Sequence, residues 1–206
     1  MTEPRRLLLL RHGETAWNRE HRFTTHSDVP LSDDGLAQAR TAAGALAATV
    51  IDRIFTSPMQ RARVTAEKIA AAQAKPPPVV PDERLVEISA GPFDGQTEDE
   101  LAAGPMAEAF AHWHSDDLPE FPPGTESFDD ALARASAFLD QHDQDPGTTL
   151  VVTHGSLARL IVCSHLLGGP PPLHRHLWLD NCRLAVIEWR GGVPKMVGFN
   201  VAGVEA

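Results

Sequence analysis

The sequence predicts an α/β fold: three layers, with a mainly parallel central sheet held between two layers of helices. Three observations carry this. Short apolar runs alternate with segments of helical spacing along most of the chain. "RLLLLR" and "TTLVVTHG" hold unbroken apolar stretches, as strands covered on both faces do. The last part of the chain carries strand-like segments joined by close turns, which gives the sheet a hairpin-like end.

The first strand covers about residues 5–11. Ser32, ahead of Asp33 and Asp34, marks a helix start, and Leu36, Ala39, Ala43, Leu46 and Val50 follow at helical spacing. "DRIFTSP" is a short strand after which Ser57 reads as N-cap and Pro58 as the first position of a helix reaching about Ala74. "KPPPVVPDERL" is a stiff connector with a third extended segment. A helical and irregular excursion at about 86–124, with short helices near 97–103 and 106–114, is expected to cover the site. A helix follows Ser127 to about His142, "TTLVVTHG" is a strand, and a helix spans about 156–167. "HLWLDN", "RLAVIEW" and "KMVGFNV" read as closing strands, with "RGG" a turn. No internal repeat is evident, and residues 1–206 are expected to form one domain. The terminal strand is one that can pair across a two-fold axis in a homodimer.

Composition narrows the function. At 206 residues, 42% hydrophobic and 22% charged, the chain is long enough for a substantial core. A net charge of −10 argues against nucleic acid or an anionic membrane as partner. It leaves room for a small anionic substrate, because a few focused cations dominate the field inside a cleft. Cys163 and Cys182 offer neither a disulfide framework nor metal-ligand spacing, and read as buried thiols of a reducing compartment. The run Leu7–Leu10 is too short for a signal segment or a span. The expected location is the cytoplasm.

Two strands end in His-Gly: His12 before Gly13 and His154 before Gly155. As parallel neighbours they would release both imidazoles at one edge of the sheet. Arg11 precedes His12, and Arg61 lies early in a helix that follows another strand. Histidines flanked by arginines suit an anion rather than a metal. Fixed cations also disfavour imidazolium, which leaves a ring neutral and nucleophilic toward phosphorus.

With these residues the sequence resembles the histidine phosphatase, or phosphoglycerate mutase-like, superfamily over almost its whole length. The matching segments are "LLLLRHGETAWN", "RFTTHSDVPLSDDGLAQA", "TSPMQRARVTA", "VEISAGPFDG", "PPGTESFDDALARASAF" and "VVTHGSLARLIV", in the family's order. The resemblance implies that His12 accepts the phosphoryl group, Glu87 is the acid–base residue, and His154 is the second catalytic histidine. It implies phosphate contacts from Arg11, Asn18, Arg61 and His154, and no cofactor or metal. Arg22, Thr24 and Thr25 are the candidate substrate contacts. The family usually has glycine where this chain has Thr25, so the threonine narrows the pocket or turns its hydroxyl toward the leaving group.

Each of these residues also has an ordinary reading: Arg61 a solvated helix charge, Glu87 a loop carboxylate, His154 a satisfied core histidine. Arg22 fits loop support as well as substrate contact, and Arg159 reads as structural support near the pocket. His112 with His114 is a poor chelate because positions two apart on a helix do not face each other; His174 with His176 would share a face at the opening of a strand, but no third ligand or carboxylate is evident. Phe110, Trp113 and Phe121 read as packing for the excursion.

The function expected is metal-independent hydrolysis of a small phosphate monoester, such as a phosphosugar, nucleotide or phosphoglycerate-like compound, through a phosphohistidine. A mutase of the phosphoglycerate type would need extra cations for a second phosphate. Between Arg84 and Arg134 the chain has no lysine or arginine, while Glu98, Asp99, Glu100, Asp116 and Asp117 are acidic. A non-catalytic binder of phosphorylated ligands would be expected to lack a catalytic residue, and none is missing.

Overall fold

Four consecutive leucines need apolar cover on both faces, and the fold supplies it. The computed structural model describes residues 5–115, 120–142 and 145–204. Asp116 and Asp117 lie outside them. In chain order the elements are β1 (Arg5–Arg11), α1 (Ala16–Arg19), α2 (Asp33–Leu46), β2 (Arg53–Thr56), α3 (Gln60–Ala71) and β3 (Val79–Pro81). There follow α4 (Glu98–Ala103), α5 (Ala107–Trp113), α6 (Phe128–Gln141), β4 (Gly147–Thr153), α7 (Gly155–Leu160), β5 (Leu184–Arg190) and β6 (Val193–Val201).

The strands form one sheet in the order β3-β2-β4-β1-β5-β6. β3, β2, β4 and β1 run parallel, and β5 and β6 close the sheet antiparallel. Side chains alternate across β1. Leu7 and Leu9 join Val151, Ile187, Phe138 and Leu157 under α6 and α7. Leu8 and Leu10 join Leu150, Val152, Leu46 and Ile69 under α2 and α3. A wholly buried leucine contributes about 1.5–3 kcal/mol, so this strand anchors both helical layers. One pairing matters most for function. Arg11 lies opposite Thr153 in the β1–β4 register, so the next residues, His12 and His154, leave the sheet at the same edge.

Local signals hold at most helix starts. Ser32 Oγ accepts from Gly35 N, Ser127 Oγ from Asp130 N, and Thr97 closes a capping box with Glu100. The start of α3 differs from expectation. Ser57 and Pro58 lie outside the helix, Met59 is the N-cap without a side-chain bond, and the helix ends at Ala71 rather than Ala74. Asp28, from a distant loop, accepts the Gln60 N–H instead, which releases Ser57 for another partner. The helix after β4 starts at Gly155 and continues as a π turn over Ile161–Leu166. "HLWLDN" is not a strand: Pro171–His176 is a 3-10 helix and the chain then crosses the site as a loop. Its carbonyls and amides are spent on Arg11, Arg159 and the backbone of the first turn rather than on a ladder. Among the described residues no helix is long and apolar enough to cross a membrane.

Two glycines let the first turn seat on α2. A Cβ on Gly13 would come within 2.6 Å of Gly35 O, and one on Gly35 would overlap the Glu14 carbonyl oxygen. These are backbone atoms that cannot swing aside. Gly35→Ala is therefore expected to destabilise the fold by about 3 kcal/mol through overpacking, despite the better helix propensity of alanine. The urea midpoint checks this; an unchanged or raised midpoint refutes it.

Candidate active site

His12 and His154 emerge side by side, with ring centroids 5.1 Å apart and planes at 68°. Both are buried. His12 Nδ1 donates to Gly13 O at 2.6 Å, and Arg61 Nε donates to His12 Nε2 at 3.3 Å. This network assigns the proton to Nδ1 and leaves the lone pair on Nε2. Burial, then the charges of Arg61 and Arg11, hold the imidazole well below its ordinary pKa, against the opposing Gly13 bond. The ring is neutral, and Nε2, which carries the lone pair and among the described residues meets only Arg61 Nε, is the nucleophilic nitrogen.

His154 is turned by Ser57, whose Oγ lies 2.8 Å from Nε2 and accepts from Met59 N. A hydroxyl donating to Nε2 leaves the ring proton on Nδ1, which is buried and has no hydrogen-bond partner among the described residues. Burial, then Arg61, His12, Arg134 and Arg11, push this pKa well down too. His154 is thus neutral as it stands, and an imidazolium there calls for the charge of a bound phosphate.

Glu87 is buried with both oxygens anchored. Oε1 accepts from Ile88 N and Leu157 N at 2.9 Å each, and Oε2 from Ser156 N at 3.0 Å. Those last two amides belong to the first turn of α7, so the strand end that presents His154 also positions the glutamate. Its charge faces Arg11, Arg61 and Arg159.

The donors predicted for phosphate converge in different ways. Arg11 donates through Nη1 to Leu179 O at 2.8 Å, while its buried Nε has no partner among the described residues. Gly155 permits this approach: a Cβ there would sit 3.2 Å from Arg11 Nε. Asn18 Oδ1 accepts from Thr15 N at 3.1 Å and faces Asn181 Nδ2 at 3.4 Å, which turns its NH2 group the other way. Arg61, wholly buried, ties the neighbouring loop to the nucleophile: Nη1 donates to Ser27 O at 2.8 Å and Nη2 to Thr25 O at 2.7 Å.

These groups sit at one end of a cavity of 670 Å³. Arg11, His12, Asn18 and Glu87 line it, as do Arg22, Thr24 and Thr25, whereas Arg61 and His154 stand behind its wall. Arg22 is committed to support, bonded to Glu20, Glu100 and Gly95 O. Thr24 Oγ1 donates to Arg22 O. The Thr25 hydroxyl donates to Asp94 at 3.0 Å and accepts from Ala90 N at 3.3 Å, so it fastens two loops together and is spent before any leaving group arrives. Arg159 donates to Gly155 O, Leu177 O and Ser156 Oγ, in keeping with a supporting role.

Ser57 and Asn181 escaped sequence reasoning. Ser57 looked like a cap, and Asn181 sat in a supposed strand; its Nδ2 donates to His12 O at 2.9 Å, and the next amide, Cys182 N, to Arg11 O at 3.0 Å. No local signal marks Asn181. His174 packs on Phe128, and burial lowers its pKa to about 4 against the opposing bond to Pro171 O. Phe110 and Trp113 form a small core with Phe93 and Leu101.

Comparison with known proteins accords with this geometry. The sequence model described as "Histidine phosphatase superfamily (branch 1)" matches residues 7–202. The chain is 37% identical over 189 residues to the "Bifunctional protein Rv2228c" of Mycobacterium tuberculosis, covering 90% of this chain and 50% of that protein. It thus spans about half the length of that relative. It is 33% identical over 161 residues to 2,3-bisphosphoglycerate-dependent phosphoglycerate mutase 2 of Gloeobacter violaceus, covering 76% of this chain and 73% of the other. Among solved structures it resembles a phosphoserine phosphatase mutant of Entamoeba histolytica bound to phosphoserine, with TM-score 0.82, 28% identity, and coverage of 96% and 98% of the two chains. The chain belongs to the histidine phosphatase superfamily, branch 1.

Proposed function

We propose that this protein hydrolyses small phosphate monoesters through a phosphohistidine on His12. The observation that carries this reading is the inner end of the cavity: the neutral His12 lines it beside Arg11, whose buried Nε has no partner among the described residues, and His154, with Nδ1 likewise unpartnered, stands directly behind. Phosphoryl transfer asks for little else, because its catalysis is mainly positioning and charge stabilisation.

His12 Nε2 attacks phosphorus and the bond from phosphorus to the ester oxygen breaks. Arg11 and Asn18, which line the cavity, take up the charge on the phosphoryl oxygens, and Arg61 and His154 add their donors from behind its wall. The charge of the bound phosphate favours a protonated Glu87, which delivers that proton to the leaving alkoxide. A water molecule then attacks the phosphohistidine, gives its proton to Glu87 and releases phosphate, which restores the neutral imidazole. Guanidinium and imidazole donors do here the electrostatic work that a metal does elsewhere.

Hydrolysis of para-nitrophenyl phosphate in the presence of EDTA tests the reading; failure to turn over any ester would favour a binding protein. Glu87→Gln tests the proton donor separately. Alkyl phosphates, whose leaving groups need protonation, are expected to lose about 10²–10³-fold in kcat, and para-nitrophenyl phosphate less than about tenfold. Equal losses on both would remove Glu87 from the acid role.

The mutase relatives favour a second reading, phosphoglycerate interconversion. Against it stands the wall of the excursion, where Glu98 and Asp99 face the cavity and no lysine or arginine occurs between Arg84 and Arg134. Efficient conversion of 3- to 2-phosphoglycerate with a bisphosphate primer would decide for the mutase.

A further inference from the structure

We propose that the outer half of the cavity recognises a positively charged nitrogen, so that the preferred substrates are phosphate monoesters of amino alcohols or quaternary ammonium alcohols. This rests on the phosphatase reading and specifies its substrate class. A cavity of 670 Å³ holds far more than a phosphate group, and the remainder must receive the alcohol part. The two halves differ in sign. At the inner end Arg11 lines the wall with a buried guanidinium nitrogen that has no partner among the described residues, a seat for an anion. At the outer end the wall carries Glu20, Glu98, Asp99 and Asp180.

The cation beside this outer wall is already paired: Arg22 spends its guanidinium on Glu20, Glu100 and Gly95 O, whereas Arg159, bonded to two carbonyls and Ser156, keeps its charge at the inner end beside Glu87 and Arg11. Asp99 makes no ion pair among the described residues, and Glu98 has only His114, at 3.9 Å. A second anionic group on the substrate would enter this wall uncompensated, and a neutral polyol would gain hydrogen bonds but no charge pairing.

The aromatic partner at the mouth supplies the chemistry that selects nitrogen cations. Trp178 lines the cavity yet is 69% exposed, a large apolar surface left to water. Its position is held: Nε1 donates to Asp180 Oδ1 at 2.8 Å, and Asn200 Nδ2 donates to Asp180 Oδ2 at 3.0 Å. A held indole next to carboxylates is the pairing that attracts ammonium groups, by cation–π and charge attraction together. An ester with a dianionic phosphate at one end and a cation at the other matches the cavity end for end.

The test compares three small monoesters that share the phosphate and differ in distal charge: phosphocholine, glycerol 1-phosphate and 3-phosphoglycerate. At low ionic strength kcat/KM is expected to fall in that order, by roughly tenfold per step. The first step should shrink severalfold in about 0.5 M NaCl, because the wall is open to screening. Asp99→Asn combined with Glu98→Gln, and separately Trp178→Leu, should each bring the phosphocholine to glycerol phosphate ratio toward one. Equal values for the three esters, or preference for 3-phosphoglycerate, would overturn the proposal. Calorimetric binding of the same three to His12→Ala reads the order without turnover. Ranked binding with no hydrolysis of para-nitrophenyl phosphate would sink the phosphatase reading alone; hydrolysis without ranking would sink only the cationic subsite.

Discussion

His12→Ala is expected to lower kcat on para-nitrophenyl phosphate by at least about 10⁴-fold. Removal of a covalent nucleophile leaves only the assistance given by the surrounding donors. No neighbouring group can substitute: His154 Nε2 faces Ser57, and Glu87 is anchored by three amides. Binding should survive, because Arg11, Asn18 and His154 take their places from other contacts. Rapid quench of the wild type with labelled substrate should trap an acid-labile, alkali-stable phosphoenzyme that the variant lacks. A label of the same size on His12→Ala would move the nucleophile elsewhere.

Arg61→Met is expected to damage both stability and rate. The guanidinium is wholly buried and joins three things at once: the carbonyls of Thr25 and Ser27, and Nε2 of the nucleophile. Methionine fills much of the volume but leaves two carbonyls without donors, at about 1–3 kcal/mol each. Relief from burying a charge offsets part of this, so a net loss of about 2–4 kcal/mol is expected. The rate should fall by roughly 10³-fold, as for loss of a donor that stabilises developing charge.

A pH signature separates this from simple unfolding. Arg61 is among the charges that depress the His12 pKa, second only to burial. The wild-type acid limb of kcat/KM therefore lies below the ordinary imidazole value of about 6.5. Without Arg61 the imidazolium is less disfavoured, its pKa rises, and the limb should move to higher pH. A limb that stays put, with the rate reduced, would mean that Arg61 acts on phosphate alone. The same shifts bear on stability: the folded state binds fewer protons on His12 and His154 than the unfolded chain, so wild-type stability should decline as pH falls from about 6.5.

Much of this site was legible before the fold. The apolar run ahead of Arg11 and His12 had to be a strand with two buried faces, and "TTLVVTHG" repeats the pattern. Helix starts at Ser32, Thr97 and Ser127 were readable because a cap is an exchange between residues three apart. The errors share one cause. Ser57 has the residue type of a cap, yet His154, 97 positions away, takes its hydroxyl. "HLWLDN" has the composition of a strand, but its backbone is consumed by Arg11 and Arg159. Thr25 looked free to meet a leaving group, until Asp94 and Ala90 engaged it.

By itself the sequence determined most of the elements, the two buried faces of the central strands, and which side chains stand at strand tips, since these follow from residue spacing over a few positions. Only the tertiary structure decided which nitrogen of His12 carries the proton, where Glu87 points, and which charged side chains share the wall of one cavity. Those outcomes depend on partners brought together from opposite ends of the chain, such as Asn181 on His12, 169 residues apart. Register and burial set such distances, and no local pattern encodes them.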